Sequence, residues 1–183
     1  MVFGKNYTKM MLNPRLFVLP PSEIKECGLE ALTYGSLTEK GLASVVKTIT
    51  RFMHPDHVQG FDLGCGDGEL IWHLGLSLPG SAWSGVEISE SRVEAQARDV
   101  CIWQGDMLAE NFKPYNLLHA DNLCLSEHIA DLLEKKIVDE FSGLYITYRK
   151  PKNLEFLRRA TLMDYIKTET TWSTCLLYYY WVQ

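Results

Sequence analysis

The sequence predicts an α/β fold in which helices cover both faces of a doubly wound, mostly parallel, seven-stranded sheet, giving three layers. Two observations support this prediction. Strand-like and helix-like segments alternate between residues 58 and 148, and such alternation is typical of parallel sheets. Beyond residue 160, two β-rich runs, 162–169 and 174–182, flank a turn at 170–173. We expect these two runs to form an antiparallel hairpin at the end of the sheet.

The individual elements follow from hydrophobic periodicity and from the residues that interrupt it. A helix is expected after Thr38 and up to about Phe52, because Leu42, Val45 and Ile49 follow the three-four spacing of a buried stripe. Pro79 and Gly80 end the next helix. The predicted helices are 69–78, 89–99 and 127–141, and the predicted strands are 58–63, 82–88, 100–103, 115–120 and 144–148.

The length of 183 residues suits one domain. We interpret residues 1–33 as an N-terminal arm with a short helix that Ser22 can cap. Residues 34–183 then form a single domain. The boundary is placed where the aperiodic first part of the chain gives way to the alternating pattern.

Composition limits the classes of function. The formal net charge of -5 gives no support to nucleic-acid binding, which usually requires a basic excess. The five cysteines form no C-x-x-C pair, and the five histidines show no metal spacing, so we expect an intracellular protein without a metal site. No apolar run approaches the roughly 20 residues that a membrane span needs.

A glycine-rich segment lies where a predicted strand turns into a helix. It reads G-x-G-x-G after an acid, with Asp62 followed by Gly64, Gly66 and Gly68. Glycines let the backbone pass close to a ligand, and dinucleotide sites use the different pattern G-x-G-x-x-G. The segment resembles motif I of S-adenosylmethionine-dependent methyltransferases. This resemblance implies a Rossmann-like fold, cofactor binding by these four residues, S-adenosyl-L-methionine as cofactor and S-adenosyl-L-homocysteine as product.

Two later acids extend the predicted cofactor site. Glu87 ends a strand about 20 residues after the glycines, where a carboxylate can accept both ribose hydroxyls. Asp106 follows the next strand and has two interpretations, an acceptor for the adenine amino group or an ordinary turn aspartate. Trp103 is either an adenine-stacking side chain or a core residue.

Further segments resemble the disruptor-of-telomeric-silencing family of non-SET histone lysine methyltransferases. Residues 34–38 (Y-G-S-L-T) resemble the family's Y-G-E-T loop, 105–107 resemble G-D-F, and 121–123 (D-N-L) stand where the family has N-N-F. Residues 172–180 resemble its W-T…S-Y-Y ending. The resemblance implies a protein-lysine N-methyltransferase. It also implies that the cofactor is bound by Tyr34, Thr38, Met107 and Asn122, and that Asn122, Asp121, Tyr179 and Trp172 serve catalysis.

The predicted catalytic roles concern a lysine amine. Asn122 would orient it through the amide oxygen, and Asp121 would attract the ammonium or accept its proton. Tyr179, Trp172 and Leu125 would wall the channel. Ser36 and Leu123 depart from the family pattern, which keeps two alternatives open: an RNA or small-molecule methyltransferase, and a non-catalytic module that binds the same cofactor.

Overall fold

A computed structural model describes residues 18–28 and 34–183. The predicted arm therefore lies largely outside the described residues. Its short helix, α1 (Pro21–Cys27), begins directly after Pro20, which occupies the N-cap without a side-chain hydrogen bond. The expected cap by Ser22 is wrong, because proline at the first helical position already supplies a suitable φ angle and lacks an N–H to be capped.

The sheet has seven strands in the order β3-β2-β1-β4-β5-β7-β6. Strands β1 to β5 pair in parallel, while β7 pairs antiparallel to both β5 and β6. The predicted parallel core and antiparallel terminal hairpin are thus confirmed. The strands are β1 (Gln59–Leu63), β2 (Ala82–Glu87), β3 (Cys101–Gln104), β4 (Leu117–Ala120), β5 (Gly143–Thr147), β6 (Ala160–Glu169) and β7 (Thr174–Val182).

The helices that follow α1 bury their apolar sides against the sheet. Ser and Thr side chains cap three of them, as in the bond from Gly41 N to Thr38 Oγ1 at the start of α2. The 3₁₀ turn Pro55–His57 separates α2 from β1. The helices are α2 (Glu39–Phe52), α3 (Glu69–Ser77), α4 (Glu90–Glu94), α5 (Glu127–Glu140) and α6 (Leu154–Arg159).

Two hydrophobic cores lie on opposite faces of the sheet. Consecutive residues of one strand enter different cores, as Leu117 and Leu118 do on β4. One core joins the sheet to α5 and Phe156 of α6, and the other joins it to α2 and α3. This alternation is the period of two that a β-strand requires, and it produces the three predicted layers.

Two local predictions need correction. Helix α4 ends at Glu94, well before residue 99, because the Gln96 side chain donates to the Val100 carbonyl at 2.9 Å and holds a non-helical turn. The predicted helices did not include segment 154–159, which forms α6; Asn153 caps this helix by accepting from two backbone N–H groups. No helix in the described ranges combines the length and apolar character needed to cross a bilayer.

Candidate active site

A cavity of about 280 Å³ opens beyond the carboxyl ends of β1, β2 and β4. This is the usual place for a ligand in an open α/β sheet. We distinguish two parts of its lining. The glycine-loop end comprises Gly64, Glu87, Arg92, Asp106 and Met107, and the His119 end comprises Asp62, His119, Asp121, Tyr148 and Trp172.

The glycine loop leaves room for a ligand at Gly64. This residue has a φ of 87°, a conformation that side chains rarely adopt, and a Cβ placed there would meet no protein atom within 4 Å. Its backbone N–H and that of Cys65 both donate to the Val86 carbonyl, at 2.9 and 3.0 Å. The loop is therefore fixed to β2 while one side of it faces open space.

Glu87 is the central buried acid of the glycine-loop end. Its Oε2 accepts from Gly66 N at 2.9 Å, and its Oε1 accepts from Ser89 N at 3.0 Å. Arg92 Nη1 lies 3.5 Å from Oε1, with both side chains almost fully buried. The carboxylate thus ties the glycine loop to the turn after β2. Its Oε1 already faces two donors, whereas Oε2 keeps acceptor capacity for one more.

Arg92 and Tyr34 complete this end of the cavity. The Tyr34 hydroxyl donates to Asp67 Oδ1 at 2.7 Å, and the Arg92 guanidinium lies over the Tyr34 ring, 5.4 Å from its centroid. Burial, reinforced by the Asp67 carboxylate, raises the pKa of Tyr34, which therefore stays neutral. The structure places Tyr34 beside the glycine loop, whereas Arg92 was not anticipated.

The structure also locates the residues after β3. Asp106 Oδ1 accepts from Leu108 N at 2.8 Å, so this residue is a turn aspartate that also lines the cavity. Met107 lines the cavity beside it. Trp103 packs against Phe61, with ring centroids 5.5 Å apart, and its indole N–H donates to Glu110. The core interpretation of Trp103 is the one that agrees with these contacts.

The His119 end is built around a buried pair. His119 Nδ1 lies 2.7 Å from Asp62 Oδ1, and both side chains are at most 4% exposed. The two residues are direct partners in the parallel pairing of β1 and β4. His119 Nε2 is buried and has no hydrogen-bond partner in the described part of the chain. Burial would lower the pKa of His119, but the carboxylates of Asp62 and Asp121 outweigh it and raise this pKa.

Asp121 lines the cavity and is exposed there. Desolvation by the surrounding protein nevertheless raises the pKa of its carboxyl to about 6, although His119 acts in the opposite direction. Tyr148 lies nearby and packs edge-on against the His119 ring, with centroids 5.7 Å apart. Burial holds the pKa of Tyr148 well above its usual range. Asp121 is thus an acid that changes charge close to neutral pH.

Asn122 has a structural task that its predicted role did not include. Its Oδ1 accepts from Thr147 Oγ1 and from the backbone N–H of Arg149, both at 2.9 Å. Since a backbone N–H can only donate, the amide oxygen is correctly assigned. Both of its lone pairs are used, so it does not orient an amine as expected. Asn122 instead joins the loops that follow β4 and β5.

Trp172 closes the cavity from the hairpin turn. Its ring packs directly on Gly35, where even a Cβ would come within 1.9 Å of it, and it lies 6.5 Å from the Tyr148 ring. Ser36 N donates to Thr171 Oγ1 at 3.2 Å, and Thr171 N donates to the Ser36 carbonyl at 2.9 Å. Segment 34–36 and the turn at 170–173 therefore form one wall.

The structure does not bring every predicted residue to the cavity. Tyr179 has no exposed surface and packs near Phe52 of α2, so it cannot wall a channel as expected. Tyr148, rather than Tyr179, is the tyrosine that lies beside Trp172. Leu125 does line the cavity. Among the residues that the structure describes, the lining does not include four predicted positions: Thr38, Gly66, Gly68 and Tyr179.

Among the lining residues that the sequence analysis did not predict, Arg92, His119 and Tyr148 contribute to the charged and aromatic contacts described above. A signal existed for His119, which interrupts the apolar strand Leu117–Ala120 where every side chain is buried. A polar residue in such a strand needs a buried partner. Arg92 gave no comparable signal, because a helical arginine is normally exposed.

Comparisons with known proteins show the fold. No protein-family model and no curated protein sequence matches the chain. Among solved structures, magnesium protoporphyrin IX methyltransferase from Synechocystis PCC 6803 with bound SAM is 16% identical, with a TM-score of 0.61 and 78% of each chain covered. Geranyl diphosphate C-methyltransferase from Streptomyces coelicolor A3(2) is 12% identical, with a TM-score of 0.55, covering 77% of this chain and 79% of that one.

A third solved structure, mitomycin 7-O-methyltransferase, is 10% identical, with a TM-score of 0.54, covering 78% of this chain and 54% of that one. The names of these three proteins refer to three unrelated acceptors. They share the sheet architecture with this chain at low sequence identity. The chain therefore has the Rossmann-like fold of the S-adenosylmethionine-dependent methyltransferases.

Proposed function

We propose that the protein is an S-adenosylmethionine-dependent methyltransferase whose acceptor is a protein lysine. The observation that carries the proposal is a single cavity in which the glycine loop and buried Glu87 lie at one end, and an acidic, aromatic group of side chains lies at the other. The first end fits a nucleoside cofactor. The second end fits a cationic acceptor.

The glycine-loop end fits S-adenosylmethionine in two ways. The open side of Gly64 gives the ligand access to the backbone, and Glu87 keeps acceptor capacity on Oε2 for a ribose hydroxyl. Asp106 borders the same space. When bound there, the cofactor supplies an electrophilic methyl group. The protein then has to hold the nucleophile in line with that group and exclude water.

Three features of the His119 end support a lysine acceptor. Asp121 can attract an ammonium group once its carboxyl is ionised. Tyr148 and Trp172 supply aromatic surface, which desolvates an amine and favours its neutral, nucleophilic form. The motif segments that resemble the non-SET lysine methyltransferases also meet here, because Trp172 packs on Gly35.

Calorimetry with S-adenosylmethionine and S-adenosylhomocysteine tests the cofactor. We expect micromolar or tighter binding of both, since most cofactor-binding groups are already in place. If the protein binds neither ligand, the methyltransferase proposal is wrong.

Transfer of a labelled methyl group into a cell lysate tests the acceptor. We expect protease treatment to release the label and nuclease treatment to leave it in place. Acid hydrolysis of the labelled protein should yield methyllysine. Nuclease-sensitive label or label in the small-molecule fraction would overturn the lysine assignment in favour of RNA or a small molecule. Cofactor binding without any transfer would favour a non-catalytic module, an idea that the departures at Ser36 and Leu123 support.

A further inference from the structure

The buried pair of His119 and Asp62 joins the neighbouring strands β1 and β4. Nδ1 of His119 lies 2.7 Å from Asp62 Oδ1, whereas Nε2 is buried and without a partner in the described residues. Buried polar atoms normally have a hydrogen-bond partner. Since His119 also lines the cavity, one ring nitrogen is oriented by Asp62 and the other is an unpartnered acceptor or donor beside the cavity.

We propose that His119 is the general base of the methyl transfer, accepting at Nε2 the proton that the acceptor amine loses, with Asp62 as the positioning residue that fixes the ring. The inference rests on the proposed methyltransferase function and deepens it. Asp121 then attracts the incoming ammonium, which decides between the two roles that the sequence left open for this residue.

The proton and electron balance is simple. His119 Nε2 takes one proton from the ammonium, leaving a neutral amine and an imidazolium that the Asp62 carboxylate stabilises. The amine lone pair forms the new C–N bond, and the sulfur keeps the electron pair of the broken S–C bond. The imidazolium later returns its proton to water, which regenerates the base.

The charges around His119 agree with this role. From β1 it faces the Asp62 carboxylate, from the loop after β4 the Asp121 carboxylate, and from the loop after β5 the neutral Tyr148 ring. The two acids raise the pKa of the imidazole, which strengthens it as a proton acceptor.

Nitrogen-15 NMR of histidine-labelled protein tests the position of Nε2 without any acceptor. We expect the neutral His119 ring to carry its proton on Nδ1. We also expect it to titrate at lower pH with S-adenosylmethionine than with S-adenosylhomocysteine, by about half a pH unit or more, because only the former places a positive sulfonium nearby. Identical titrations in the two complexes would overturn the proposal, since a base within reach of the reacting amine must lie close enough to the sulfonium to sense its charge.

A matched pair of variants tests the chemistry. In His119→Asn the amide N–H can replace Nδ1–H toward Asp62 while the base is removed. We expect transfer into the lysate protein to fall by about 10²- to 10⁴-fold, the usual contribution of a general base, while S-adenosylhomocysteine affinity stays within threefold. The control, His128→Asn, changes an exposed histidine on α5 and should leave both quantities unchanged.

The outcomes separate this inference from the function on which it rests. If the wild-type protein transfers methyl groups and the His119→Asn variant retains this activity, the proposed role of His119 is wrong. The methyltransferase function would be unaffected by that result. A wild-type protein that binds neither cofactor form would overturn both. If His119→Asn fails to fold, the NMR titration of the wild-type protein still decides the matter.

Discussion

The two ends of the cavity are built differently. At the glycine-loop end, backbone groups supply many of the contacts, as in the bonds from Gly66 and Ser89 to Glu87. At the His119 end, side chains from separate strands and loops contact one another, as in the pair of Asp62 and His119. In the proposed function, the first construction would recognise the cofactor largely through a fixed main chain, and the second would recognise the acceptor through side chains.

Apart from the loss of the proposed base His119, the largest effect should come from Glu87→Gln, which removes the charge and keeps the shape. We expect S-adenosylhomocysteine affinity to fall about 10- to 100-fold, because a hydrogen bond to a charged group contributes about 1.5–3 kcal/mol and tenfold in Kd corresponds to about 1.4 kcal/mol. Calorimetry measures the change. Glu90→Gln, at an exposed position on α4, is the matched control, and equal affinities of the two variants would contradict the assignment.

An intermediate effect is expected from Asp121→Asn, and it should depend on pH. The Asp121 carboxyl has a raised pKa of about 6, so it is neutral at pH 5 and attracts a cation only at higher pH. The wild-type to variant ratio of kcat/KM for the labelled acceptor should therefore be near one at pH 5 and rise to about tenfold at pH 8. A ratio that does not change between these pH values would show that Asp121 does not meet a cation.

The smallest effects should distinguish Trp172 from Tyr179, the two aromatic residues that the sequence analysis predicted to wall the same channel. Trp172→Ala should lower methyl transfer about fivefold through loss of a positioning wall, with little change in Tm because Trp172 is 44% exposed. Tyr179→Phe should change methyl transfer by less than about twofold, because its ring packs near α2. A larger loss of methyl transfer in Tyr179→Phe than in Trp172→Ala would show that Tyr179 contributes to the acceptor site.

Sequence patterns predicted the fold and one end of the site because those features are local. The glycine loop is a contiguous motif, and Glu87 follows it at a characteristic spacing. The contact between Asp62 and His119 depends instead on β1 lying beside β4 with these two residues in register. Neither the neighbour nor the register can be read from the two strands alone. The same holds for Arg92, whose burial requires Glu87 and Tyr34 to be in place.

The shared wall of segment 34–36 and the hairpin turn has a consequence for biogenesis. The hydrogen bond between Ser36 and Thr171 spans 135 positions of the chain. A ribosome synthesises residues 34–36 long before the hairpin emerges, and contacts of such large sequence separation form late in folding. The nascent chain can close this wall of the cavity only after residues 170–173 have been synthesised. If the cavity holds the proposed active site, translation products that stop before this turn would lack activity.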